Sequence, residues 1–159
     1  MSNDTTRRGL VGVSAVMMRL VELGYEVLLP WGEGLPYDLA YYWETTEHHF
    51  GFFKHIESGL ARIQVKVAWL SKEGDAILFN TAASPMKQNG KWKRTGYAGR
   101  ADWFGVYSPD TRKVYMVSVK EASKGNMKLR LYTAEGERLI SAQQRDAYKY
   151  TKWAKDYEI

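Results

Sequence analysis

The run Arg62-Ile63-Gln64-Val65-Lys66-Val67-Ala68-Trp69 decides the fold. Ile63, Val65 and Val67 alternate with Gln64, Lys66 and Ala68, the period of two that belongs to a β-strand. Gln64 and Lys66 therefore share one face, and Ile63, Val65 and Val67 fill the other. An amide and an ammonium side by side on a mostly apolar strand are expensive to bury unpaired, so they need a polar counterpart. The preceding strand offers one in Asp38, within Pro36-Tyr37-Asp38.

Working outward, Arg8 to Gly24 is expected to be a helix, with Leu10, Val13, Met17, Leu20 and Val21 at helical spacing and Gly24 as its terminator. Tyr25 to Leu29 is a short strand, Trp31 to Gly34 a turn, and Tyr37 to Trp43 a strand carrying Asp38. Glu44 to Gly59 lacks clear periodicity and is expected to be an extended hairpin connection. Leu60 to Leu70, Ala76 to Asn80, Ala101 to Tyr107, Val114 to Val119 and Met127 to Tyr132 are further strands, with a turn at Ser108-Pro109-Asp110-Thr111. Ser141 to Asp156 is expected to close the chain as a helix whose inward positions are Ala147, Tyr150 and Ala154. No linker or repeat interrupts the order, so residues 1–159 are expected to form a single α/β (α+β) domain, a mixed central β-sheet flanked by helices.

The 159 residues suffice for a core, and 45% hydrophobic with 26% charged residues suits a soluble globule. No apolar run approaches a membrane span, and the polar start Met1 to Thr6 has no signal-peptide core behind it. The chain has no cysteine, which excludes disulfides and thiolate zinc sites. A cytoplasmic protein is the expectation. The net charge of +5 favours a polyanionic partner. Between Lys87 and Arg100 the bases Lys87, Lys91, Lys93, Arg94 and Arg100 occur with no acid among them. Trp92 and Tyr97 are interleaved. Bases neutralise phosphates and rings stack on nucleobases, so this segment is a candidate nucleic-acid contact.

The series resembles the PD-(D/E)xK nuclease superfamily, and within it the homing endonucleases associated with group I introns. The matching residues are Arg8-Gly9, Gly24-Tyr25 with Val27, Pro30 with Gly32, Pro36-Tyr37-Asp38-Leu39, Arg62-Ile63-Gln64-Val65-Lys66, Asn80-Thr81, Tyr97, Ala101-Asp102-Trp103-Phe104 with Val106-Tyr107, and Lys113 to Val117. The resemblance implies a restriction-endonuclease-like fold and Mg²⁺- or Mn²⁺-dependent hydrolysis of double-stranded DNA by a homo-oligomer, a dimer or tetramer. It makes Asp38 the main metal ligand, with the Gln64 amide oxygen and the Val65 backbone carbonyl beside it, hard donors suited to these ions. Lys66 would orient or help deprotonate the water and offset charge on the scissile phosphate. A 5′-phosphate and a 3′-hydroxyl would result.

One position departs from the pattern. The glutamate that the family usually carries in its first helix falls on Val13, which cannot ligate metal. Glu22 lies nine residues on, about 900° of rotation, and faces the opposite side. Glu44, Glu47 and Glu57 are possible replacements. Among other residues, His48, His49 and His55 suit a polar loop better than a metal site. Asp102 is expected to be structural, paired with Lys66 or Arg100. Tyr37 and Tyr97 fit the core better than a phosphate contact. Lys149, Lys152 and Lys155 suit a solvated helix face with Lys152 paired to Asp156. Two alternatives to the endonuclease stand: a catalytically weakened DNA-binding protein of the same fold, and a junction resolvase.

Overall fold

The computed structural model describes residues 3–32, 34–48, 54–83, 86–88, 91–93, 96–131 and 152–159; at residues 3, 46–48, 54–56, 86–88 and 91–93 the backbone alone is described. The first helix, α1, spans Asn3–Glu22. It ends where the Tyr25 N–H reaches back to the Leu20 carbonyl at 3.0 Å and the Gly24 N–H to Val21 at 2.9 Å. This closure needs a left-handed residue, and Gly24 has φ +86°. Its buried face is not the stripe expected from spacing. Val16 and Leu20 are fully buried and Val13 and Met17 pack partly, whereas Leu10 and Val21 are 63% and 57% exposed. Gly12 is the reason. It lies in the contact line, where an added Cβ would come within 2.7 Å of Val67. A glycine that seats a helix contributes nothing to an apolar stripe.

Among the described residues ten strands follow, in the order β1 (Glu26–Leu28), β2 (Leu39–His48), β3 (Lys54–Val67), β4 (Trp69–Leu70), β5 (Ala76–Asn80), β6 (Met86–Gln88), β7 (Lys91–Lys93), β8 (Trp103–Ser108), β9 (Lys113–Ser118) and β10 (Asn126–Arg130). The main sheet has the order β1-β2-β3-β8-β9, antiparallel except where β3 runs parallel to β8. A second sheet is ordered β10-β5-β4, and β6 and β7 form a two-stranded ribbon. The connection expected at Glu44 to Gly59 is largely ladder: β2 and β3 pair from Leu39↔Ile63 out to His48↔Lys54.

Two apolar cores result. The first lies between α1 and the main sheet, with Val16, Leu20, Leu39, Ile63, Val65 and Val114 buried. Gly105 on β8 admits the helix, since a Cβ there would sit 2.8 Å from Val16 and 2.9 Å from Ile63. The second lies between the two sheets, with Ile77, Phe79, Phe104, Val106, Tyr115, Val117, Met127 and Leu129 buried. The described residues thus stack helix, mixed sheet and second sheet. The main sheet carries one described helix on one face and strands on the other, the mixed-sheet α+β fold expected.

The closing helix expected through Asp156 is also corrected where it can be seen. Trp153 bridges Arg130, a 3-10 turn covers Ala154–Asp156, and Glu158 bridges Tyr115. Main-chain pairing to β9 and β10 overrides local helix preference here. Ala154 is inward as expected, at 3% exposure, but the Lys152 ammonium donates to the Glu121 carbonyl rather than pairing with Asp156. The expectations for Ala147, Tyr150 and Lys149 lie outside the described residues. Among the described residues no helix is long and apolar enough to cross a membrane.

Candidate active site

Asp38 stands one residue before β2, and its N–H donates to the Ile63 carbonyl at 2.8 Å, which fixes it beside the middle of β3. From there its Oδ2 accepts the Val65 N–H at 2.7 Å and a hydrogen bond from the Gln64 Nε2. The same Nε2 lies 3.3 Å from the Val65 carbonyl oxygen. Asp38, Gln64 and the Val65 carbonyl thus meet at one point. A half-turn of the carboxamide would present its oxygen there in place of nitrogen.

The alternation of β3 does what the spacing predicts. Ile63 and Val65 are buried toward α1, while Gln64 and Lys66 are half-buried on the opposite face. Gln64 pairs with Phe104 and Lys66 with Val106 in the parallel register, so both stand at the rim of the inter-sheet core. Burial pushes the Asp38 carboxyl above its ordinary value. The Val65 N–H, the Lys66 charge and the Gln64 amide oppose that rise. A half-buried carboxylate under this strain gains from a cation.

Lys66 is held. Its Nζ donates to the Tyr97 hydroxyl at 3.0 Å and lies 4.7 Å from the centroid of the same ring. Tyr97 is only 8% exposed, so it departs from the expectation of an open nucleic-acid contact and fits the core reading. The main chain at Lys87, Lys91, Trp92 and Lys93 forms the β6–β7 ribbon, with Lys87 opposite Trp92. Their side chains, and Arg94 altogether, lie outside the described residues. Arg100 turns into β8, its N–H donating to the Tyr97 carbonyl at 2.9 Å.

Asp102 has a different partner from either expected. Arg62 grips it twice, Nη2 to Oδ1 at 3.0 Å and Nε to Oδ2 at 3.1 Å, and the Arg62 N–H adds a third bond at 2.8 Å. Arg62 Nη1 reaches the Gly99 carbonyl at 3.1 Å. These bonds hold the Asp102 carboxyl below its usual range, with the Arg62 side chain the largest cause. Arg62 shares the strand face of Gln64 and Lys66, a neighbour that the period-two pattern already contained. The pair flanks the site and ties the loop before β8 to β3.

The glutamates offered as replacements for the one absent at Val13 are too far away. Glu44 pairs with Ser58 and Glu57 with Thr45, five to six residues along the ladder from Leu39↔Ile63, about 17–20 Å at about 3.4 Å per residue. Glu47 pairs with His55, farther still. The side chains of His48 and His55, and His49 altogether, fall outside the described residues. Glu22 pairs with Arg19 at 3.1 Å on the exposed face of α1. Among the described residues no three or more histidine, aspartate or glutamate side chains gather.

The family model for the PD-(D/E)XK endonuclease matches residues 3–151. The chain belongs to the PD-(D/E)XK endonuclease family. Among solved structures, the bacterial homing endonuclease I-Ssp6803I is similar with a TM-score of 0.63 and 22% identity, covering 94% of this chain and 100% of that one. At that identity the likeness establishes a shared fold. No curated protein matches. PD-(D/E)XK nucleases act on DNA and generally use divalent metal ions. The donors here suit such an ion: a half-buried carboxylate, a backbone carbonyl and a carboxamide whose oxygen a half-turn would present, all hard.

Proposed function

We propose that this PD-(D/E)XK protein, read as one domain over residues 1–159, is a Mg²⁺- or Mn²⁺-dependent endonuclease that hydrolyses duplex DNA. The observation that carries the reading is the meeting of Asp38, the Gln64 carboxamide and the Val65 carbonyl, with Lys66 two residues along the same strand face. Asp38 with these two oxygens would hold the ion. When bound, it supplies Lewis acidity and positive charge where the phosphate gains negative charge. The Val65 N–H fixes the Asp38 carboxylate. Lys66 carries an ammonium to offset charge on the scissile phosphate and to orient the attacking water. The bases at Lys87, Lys91, Lys93, Arg94 and Arg100, with Trp92, would track the DNA backbone. Tyr97, bonded to Lys66, drops out of that set. A homing-type activity is favoured by the likeness to a bacterial homing endonuclease. Cutting both strands at symmetric positions calls for a homo-oligomer, a dimer or tetramer, and a cytoplasmic location goes with this reading.

One observation favours a second reading, a DNA-binding protein of this fold with weakened catalysis. Val13 packs against the apolar core beneath β3, where the resemblance sets a glutamate, and among the described residues no carboxylate is one of the groups that act on Asp38. The deciding experiment incubates a pooled random-sequence duplex library with the parent and with Val13→Glu, each in Mn²⁺ and in EDTA. Metal-dependent cuts by the parent are expected. Cutting by Val13→Glu alone would establish the weakened protein, and cutting confined to added four-way junctions would establish a resolvase.

A further inference from the structure

We propose that Tyr97 is a positioning residue that presents the Lys66 ammonium to the scissile phosphate; the proposal rests on the nuclease reading of Asp38, Gln64 and Lys66. A lysine stem has four rotatable bonds, and a lysine on a half-buried strand face would sample many positions of its charge. Here the charge is fixed in two independent ways by one side chain. The Tyr97 hydroxyl oxygen accepts from Nζ at 3.0 Å, and Nζ also lies 4.7 Å from the centroid of the ring. The first contact is a charge-assisted hydrogen bond and the second a cation–π contact.

Tyr97 is itself held firmly enough to serve. Its ring meets Phe104 edge-to-face at 5.4 Å, and Phe104 meets Phe79 at 6.0 Å in the inter-sheet core. Its carbonyl accepts the N–H groups of Arg100 and Ala101, at 2.9 and 3.0 Å, and so anchors the turn that enters β8. Phe104 lies opposite Gln64 and Val106 opposite Lys66. Strand register, ring stack and turn therefore converge on one ammonium. A hydroxyl committed to Lys66, on a residue 8% exposed, is poorly placed to hold a phosphate itself.

Two substitutions separate the contacts. Tyr97→Phe keeps the ring and its packing on Phe104 and removes the hydroxyl, and Tyr97→Leu removes the ring as well. Their readouts are kcat and KM on a cleaved duplex, and ¹³Cε relaxation of Lys66, assigned through Lys66→Arg. Thermal melts confirm that the variants fold. For Tyr97→Phe, kcat should fall about tenfold, on the scale of one hydrogen bond to a charged group, with KM within about twofold. The Lys66 ε-carbon should change from rigid to mobile. Tyr97→Leu should lower kcat further and abolish the ring-current shift of the Lys66 ε-protons. A rise in KM at unchanged kcat would make Tyr97 a DNA contact and overturn the proposal. So would Lys66 relaxation identical in all three proteins. If the parent cleaves nothing, the nuclease reading fails while the relaxation data still decide whether Tyr97 fixes Lys66.

Discussion

Asp38→Asn abolishes cleavage, lowering it by about 10³-fold or more, while the protein stays folded and keeps its affinity for DNA in EDTA. The substitution is nearly isosteric. The asparagine's carbonyl oxygen can accept the Val65 N–H and the Gln64 Nε2 hydrogen bonds that Asp38 Oδ2 accepts. What it removes is the negative charge, and with it the only carboxylate at the meeting point, since among the described residues no other acts on Asp38. Losing one electrostatic element of an active site costs about 10²–10³-fold elsewhere, and a sole carboxylate stands at or above that range. Stability moves the other way. Burial raises the Asp38 carboxyl above its ordinary value, so between its unfolded and folded pKa the native state binds more protons than the unfolded one. The metal-free parent therefore loses stability as pH rises through that window, and at neutral pH it carries the full cost of the buried charge. Asp38→Asn lacks this dependence. It should melt no lower than the parent in EDTA at neutral pH, and differ less at acid pH. A drop in melting temperature together with lost cleavage would instead make Asp38 a structural residue.

Phe104→Ala is expected to damage the fold heavily. Phe104 is 1% exposed and touches both Tyr97 and Phe79 in the inter-sheet core. Truncation to alanine removes a ring and leaves a cavity that flanking strands cannot close, because β3 and β9 fix β8 from both sides. The expected loss is about 3–5 kcal/mol, a large share of the roughly 5–15 kcal/mol that holds a domain together. Urea denaturation should show the midpoint falling at unchanged slope. A loss below about 1 kcal/mol would mean that the two sheets do not share this core as described. Because Phe104 supports Tyr97, which holds Lys66, the same variant should also lose activity at temperatures where it remains folded.

The site was legible in the sequence to the extent that strand period and order decide it. Asp38, Gln64 and Lys66 could be placed together because alternation puts Gln64 and Lys66 on one face, where they need the polar counterpart that Asp38 supplies. β5 falls on Ala76–Asn80, the bounds expected for that strand. What depended on long-range register was not legible. Asp102 finds Arg62 through the parallel pairing of Ile63 with Trp103, and nothing local specifies that offset. The grip of Tyr97 on Lys66 spans 31 residues, with β4 to β7 between them. The stripe of α1 was misplaced because Gly12 seats the helix without adding hydrophobicity. Residues 152–156 read as the end of a helix from the spacing of Ala147, Tyr150 and Ala154, yet bridges at Trp153 and Glu158 tie this part of the backbone to β10 and β9.

Mn²⁺ binding tests the central claim most directly. Titration of the parent and of Asp38→Asn with Mn²⁺, followed by water-proton relaxation enhancement in the absence of DNA, reads the site without requiring its target sequence. The account predicts saturable binding by the parent that Asp38→Asn loses. Equal binding by both proteins, or none by the parent with or without added duplex, would contradict it.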